Sequence, residues 1–166
     1  AIVTATLGTG RDAQLIDAAE GESKVSYIDG EQGILRYRGY PIEQLAEKAS
    51  FLEVAFLLQY GELPTKAERD TYSDTITHHT LLREDVKHLF EAFPHSAHPM
   101  QILASATSAL ATYYPDALNP LDEESVDISS HRLIAKTPTM IAWSYKYREH
   151  RPYVYPDNGL DYSSDF

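Results

Sequence analysis

Two periods of apolar and polar positions divide this chain. Val25 to Ile28 and Ile34 to Tyr37 are short runs rich in β-branched and aromatic residues, which predict two strands. The Asp29-Gly30 pair between them predicts a hairpin, because a left-handed turn position admits Gly cheaply and Asp better than most residues. From Pro41 onward the spacing becomes helical. Pro41 suits a first helical turn, where its missing N–H is not needed, and Ile42, Leu45, Ala46 and Ala49 then share one face. Ser50 with Glu53 has the form of a capping box and opens a second helix through Phe51, Val54, Ala55, Leu57 and Leu58, which Gly61 and Pro64 end. Thr65 with Glu68 repeats the pattern for a third helix reaching toward His78.

A fourth helix is expected over Arg83 to Phe93, with Val86, Leu89, Phe90 and Phe93 on one face and Pro94 closing it. Pro99 opens the next, Met100 to Tyr114, so rich in Ala, Ser and Thr that neighbours can approach it closely; burial on more than one side, at a core or subunit interface, is expected. Residues Pro115 to Asp127 read as a polar loop. Ile128 to Ala135 resumes a helix that Pro138 breaks or kinks, and Thr139 to Glu149 continues it. Arg151 to Gly159 reads as extended, since each Pro biases the preceding residue away from helix. The chain is thus read as mainly α, multi-helical, with a short N-terminal β-hairpin. Residues 1–26, too weakly periodic for elements, are read as an arm.

Composition narrows the chemistry. With 166 residues, 43% hydrophobic and 23% charged, the sequence is that of an ordinary globular domain. A net charge of −11 argues against binding to nucleic acid, whose phosphates need basic surfaces. No cysteine is present, so disulfides and Cys-ligated metals are excluded. No apolar run approaches a membrane span, and the expected setting is a soluble, cytoplasmic protein.

Candidate chemistry is sparse. His78 and His79 are adjacent, so on a helix they diverge by roughly 100° and do not converge on one ion. His95 and His98 lack an acidic partner at ligand spacing, and no metal site is expected. Acidic neighbours such as Glu84-Asp85 and Glu123-Glu124 read as solvated surface. Phosphate loops, zinc-protease helices and nucleophile elbows are missing from the sequence. One cluster remains: Arg132 and Lys136, four apart, share a helix face that the His pair and Arg151 could join, forming a basic spot suited to phosphate or, alternatively, pairing with surface acids.

The order of motifs resembles one family. Tyr27-Ile28-Asp29-Gly30, Gly33-Ile34-Leu35-Arg36-Tyr37-Arg38-Gly39-Tyr40-Pro41-Ile42, Glu53-Val54, Tyr60-Gly61-Glu62-Leu63-Pro64-Thr65, His79-Thr80, His98-Pro99-Met100, Arg132-Leu133, Lys136 and Tyr155-Pro156-Asp157-Asn158 together resemble bacterial (type II) citrate synthases. The resemblance implies that residues 27–166 are the N-terminal part of a helical large domain. It implies an acyltransferase of the tricarboxylic acid cycle, dimeric or hexameric, condensing acetyl-coenzyme A with oxaloacetate and water to citrate and free coenzyme A. No metal or cofactor is implied beyond the thioester substrate. The family's catalytic motifs, a His-Ala-Asp-His-Glu-Gln-Asn helix, a Gly-Pro-Leu-His-Gly-Gly loop and a later Asp, do not occur among these residues and are expected beyond Phe166. No catalytic residue is therefore assigned, and this stretch alone is expected to be inactive.

In one branch of the family NADH is an allosteric inhibitor bound on this part of the large domain. The positions that look like that site are His79, Thr80, Tyr114, Arg132, Lys136 and Asn158. His78 stands where an Arg is expected and Arg151 where that branch has Gln, which weakens phosphate recognition, since a mostly neutral imidazole lacks the guanidinium fork. The alternatives are a non-catalytic helical interaction module of the same fold and a 2-methylcitrate synthase.

Overall fold

The computed structural model describes residues 24–115 and 119–166. The arm expected before them lies, except for its last residues, outside the described set. Two compact units divide at Tyr72 and Ser73.

The first unit begins with a three-stranded antiparallel sheet: β1 (Ser26–Asp29), β2 (Ile34–Tyr37) and the short β3 (Tyr40–Pro41). Ser26 pairs with Tyr37 and Asp29 with Ile34, confirming the hairpin. Its left-handed glycine is Gly33, at φ 67°, rather than Gly30. Asp29 acts instead through its carboxylate, which accepts from the Glu31 and Gln32 N–H groups at 3.1 and 3.0 Å. Between β2 and β3, Arg38 and Gly39 both take positive φ, 49° and 91°, as a two-residue turn of the hairpin type requires. Arg is a poor choice for that conformation, and its guanidinium finds a compensating bond, donating to the Leu58 carbonyl at 2.8 Å.

Pro41 is the residue before helix α1 (Ile42–Lys48), in extended conformation, rather than its first turn. Helix α2 (Phe51–Tyr60) has the full capping box at Ser50 and Glu53 and ends at Gly61 in the left-handed conformation at φ 97°. Thr65 and Glu68 make the same reciprocal bonds ahead of α3 (Lys66–Thr77). The Phe56 and Tyr72 rings meet edge to face at 5.4 Å.

Among the described residues the second unit contains the larger core. Helix α4 (Val86–Glu91) is shorter than the stretch expected, and α5 (Pro99–Leu110) continues as a 3₁₀ turn over Ala111–Tyr113. Ile102, Ala106 and Leu110 form one buried stripe on α5, and Met100, Ala104, Ser105 and Ser108 on its other faces are exposed among the described residues. The stripe packs with Phe90, Met140 and Trp143. Helix α6 (Glu123–Arg148) starts inside the expected polar loop and runs through Pro138 without ending. Asp122 sets the start, its carboxylate accepting from the Ser125 N–H at 2.9 Å and hydroxyl at 2.6 Å. Acids in the first turn and Lys146 and Arg148 in the last complement the helix dipole. An extended stretch leads to α7 (Tyr162–Asp165). No helix among the described residues is long and apolar enough to cross a membrane.

Candidate functional site

Helix α3 ends at Thr77, and the three residues His79, Thr80 and Leu81 lie against α6. Their carbonyls are all engaged by α6 side chains. Lys136 Nζ donates to the His79 carbonyl at 2.7 Å and to that of Leu81 at 2.6 Å, while Thr139 Oγ1 donates to the Thr80 carbonyl at 2.8 Å. A cation placed against carbonyls just past a helix C-terminus is electrostatically favoured. The Thr80 hydroxyl turns back to the Thr77 carbonyl at 3.1 Å.

Above this latch lies Tyr114. The Arg132 guanidinium carbon stands 4.4 Å from its ring centroid and Lys136 Nζ 5.6 Å. Lys136 is only 4% exposed, and burial first, then the Arg132 charge, lowers its ammonium from 10.5 to about 8. At neutral pH it remains cationic. Buried and held by two carbonyls, it acts on an incoming anion through its field, whereas the part-exposed Arg132 can make contact.

A cleft of about 360 Å³ opens beside the pair, lined by Thr107, Leu110, Tyr114, Ser125, Ser129 and Arg132 among others. That volume is within the ~300–1,000 Å³ typical of small-molecule sites, and its wall combines an aromatic face, hydroxyls and one cation. The arrangement can hold an aromatic or sugar moiety beside a phosphate.

Of the residues singled out in the sequence, His79, Thr80, Tyr114, Arg132 and Lys136 are brought together. Asn158 lies on an exposed turn closed by the Gly159 N–H donating to Asp157 Oδ1 at 2.9 Å. Arg151 is exposed just past the end of α6, its N–H donating to the Lys146 carbonyl at 2.8 Å, and His78 lies 3.2 Å from the Asp74 carboxylate. The His79 ring donates through Nδ1 to the Thr75 carbonyl at 2.6 Å. His98 Nδ1 caps α5, accepting from the Met100 N–H at 3.2 Å, and His95 stacks on Tyr147 at 4.3 Å. No group of three or more His, Asp or Glu able to hold a metal is found among the described residues. Thr139 was missed by sequence reasoning. Its spacing of three from Lys136 on one helix is the signal that could have found it.

Comparison with known proteins gives a consistent result. The family model described as "Citrate synthase, C-terminal domain" matches residues 15–166. Citrate synthase of Corynebacterium glutamicum is 51% identical over 155 residues, covering 93% of this chain and 36% of that protein. Citrate synthase 1 of Mycobacterium tuberculosis is 48% identical with the same coverage of each, 93% and 36%. The crystal structure of citrate synthase from Pyrobaculum aerophilum matches with a TM-score of 0.80 at 28% identity, over 99% of this chain and 45% of that one. The chain thus spans just over a third of the length of the curated relatives, 36%. Sequence, helical architecture and small antiparallel sheet agree, and the chain belongs to the citrate synthase family.

Proposed function

We propose that this chain is part of a citrate synthase that condenses acetyl-coenzyme A with oxaloacetate and water, releasing citrate and coenzyme A. The observation that carries this reading is 51% identity across 93% of the chain to a protein bearing that name. The family's catalytic motifs do not occur in residues 1–166, so this stretch supplies framework from the large domain and its chemistry is assigned to the rest of a longer protein. The same reading has the enzyme work in the cytoplasm as a dimer or a hexamer of dimers. The product of the complete reading frame should release free thiol from acetyl-coenzyme A only when oxaloacetate is present, and the isolated 166-residue chain should not. Citrate formed by the isolated chain above a no-enzyme control would overturn the assignment, as would an inert complete protein.

The second part of the proposal is a regulatory nucleotide site, with Tyr114 and Arg132 facing the ligand, Lys136 acting through its field while the His79 and Leu81 carbonyls hold it, Thr80 pinned beside them by Thr139, and Asn158 as a further contact. Two cations on one ring beside a cleft of about 360 Å³, in a chain of net charge −11, support it. NADH is the ligand expected. Its phosphates would offset the Arg132 repulsion and raise the Lys136 pKa, so binding takes up a proton. Affinity should be greatest below pH 8 and fall as pH rises through about 8, where Lys136 loses its charge. Calorimetric titration of the complete protein on both sides of that pH tests this. No binding at millimolar NADH ends it.

A further inference from the structure

Pro138 lies inside α6 and has no N–H, so it cannot donate to the carbonyl four residues back, that of Ile134. Another donor stands there: the Tyr162 hydroxyl of α7, 2.8 Å from the Ile134 oxygen. Ile134 is flanked on its helix by Arg132 and Lys136. Burial pushes the Tyr162 phenol above its ordinary value, so it keeps its proton at physiological pH.

The segment that carries Tyr162 is closed on itself. The Asp157 N–H donates to Asp165 Oδ1 at 2.6 Å. Asp161 Oδ1 accepts from the Ser163 and Ser164 N–H groups, both at 3.1 Å. Upstream, Trp143 Nε1 donates to the Val154 carbonyl at 2.8 Å. Asn158 therefore sits on a braced loop between two points, Val154 and Tyr162, at which the chain is bonded to α6.

We propose that Tyr162 is a positioning residue: its hydroxyl takes the hydrogen-bonding place that Pro138 vacates in α6, and so ties the loop bearing Asn158 to the helical turn bearing Arg132 and Lys136. The functional meaning of the tie rests on the nucleotide reading above. Pro138 and Tyr162 then act as one device. The proline frees a carbonyl in mid-helix, and the tyrosine uses it to join two parts of a site that are far apart in sequence and make their contacts on different segments.

The test compares the wild-type complete protein with Tyr162→Phe, Pro138→Ala and the double variant, by amide hydrogen exchange over residues 157–165 and by calorimetric titration with NADH. Tyr162→Phe should speed exchange of the loop amides about tenfold and weaken NADH by about 3- to 10-fold, the scale of one lost hydrogen bond. In the Pro138→Ala background a main-chain N–H can engage Ile134, so the loss of melting temperature caused by Tyr162→Phe should shrink, while the loop stays loose and NADH stays weakened. Rescue of all three readouts by Pro138→Ala would show that Tyr162 only satisfies a carbonyl, and would overturn the tie. Unchanged loop exchange in Tyr162→Phe would overturn it as well. If the wild type binds no NADH, the nucleotide site fails, and the exchange data alone decide whether the tie exists.

Discussion

In the first unit, the bonds that set its elements are short in sequence: Asp29 to Glu31, Ser50 to Glu53 and Thr65 to Glu68. In the second, short caps such as Asp122 to Ser125 are joined by long bonds. Lys136 to His79, Thr139 to Thr80 and Tyr147 to Glu91 span 57, 59 and 56 residues. A bond closing three residues forms with its helix turn, whereas one closing nearly sixty forms only after the intervening chain has been ordered. The two units also differ in core. Leu45, Leu52, Leu57 and Tyr72 are buried in the first, while Phe90, Ile102, Met140 and Trp143 are joined in the second by several further apolar groups. Local caps and a modest core against remote pins and a larger core: the second unit should be the one that a single substitution can unfasten.

The largest effect should come from Trp143→Ala. The Trp143 ring is fully buried, 6.5 Å from Phe90 and 5.1 Å from Tyr153, and its N–H holds Val154. Truncation should cost about 3–5 kcal/mol. Hydrogen exchange should show lost protection across α4 to α6 with β1, β2 and α2 unaffected. Equal loss in both units would break the comparison.

Next is Lys136→Met, which keeps the apolar stem and removes the cation from two buried-side bonds. Bonds to a charged donor are worth about 1.5–3 kcal/mol each, partly offset here by the desolvation that Met avoids, so a net loss of about 2 kcal/mol is expected. The pH dependence sharpens this. Between about 8 and 10.5 the unfolded lysine binds more protons than the folded one, so in the wild type this group makes stability rise with pH across that window. In Lys136→Met that rise should be absent from thermal melts taken through the same range.

The same contrast explains what could be read from sequence. Both capping boxes, the hairpin, the Gly61 stop and most helix positions in the first unit are short-range chemistry, and the structure bears them out. Other readings were altered by what surrounds a residue. Gly30 yields the left-handed position to Gly33 because the Asp29 carboxylate organises the intervening residues. Pro138, expected to break or kink the helix, lies inside a continuous α6 that is held on both sides of it by Lys136, Thr139 and Trp143. Among the described residues the small residues of α5 leave its other faces exposed, since composition permits close approach without supplying the neighbour. In the candidate site, Arg132 and Lys136 were legible from helical spacing. That Tyr114 would meet both cations, and that carbonyls of residues 79 and 81 would hold Lys136, needed the fold.

The smallest effect tests the local side of the comparison. Ser50→Ala should cost about 1 kcal/mol, the usual loss for an N-cap. Glu53, whose carboxyl lies below its ordinary value of 4.5, separates the two halves of the capping box, because the chief cause of its lowering is the Ser50 main-chain N–H, and the Ser50 hydroxyl is a lesser one. A carboxyl lowered in the folded state stabilises it above the unfolded pKa, and that contribution is lost as pH falls through the folded value. Alanine keeps the N–H. Ser50→Ala should therefore lower stability at neutral pH yet retain most of the acid-dependent loss, whereas Glu53→Gln should remove the loss itself. Titrating the Glu53 carboxyl by NMR in Ser50→Ala checks this directly: a full return to its ordinary value would mean that the hydroxyl, and not the main chain, holds the charge at the start of α2.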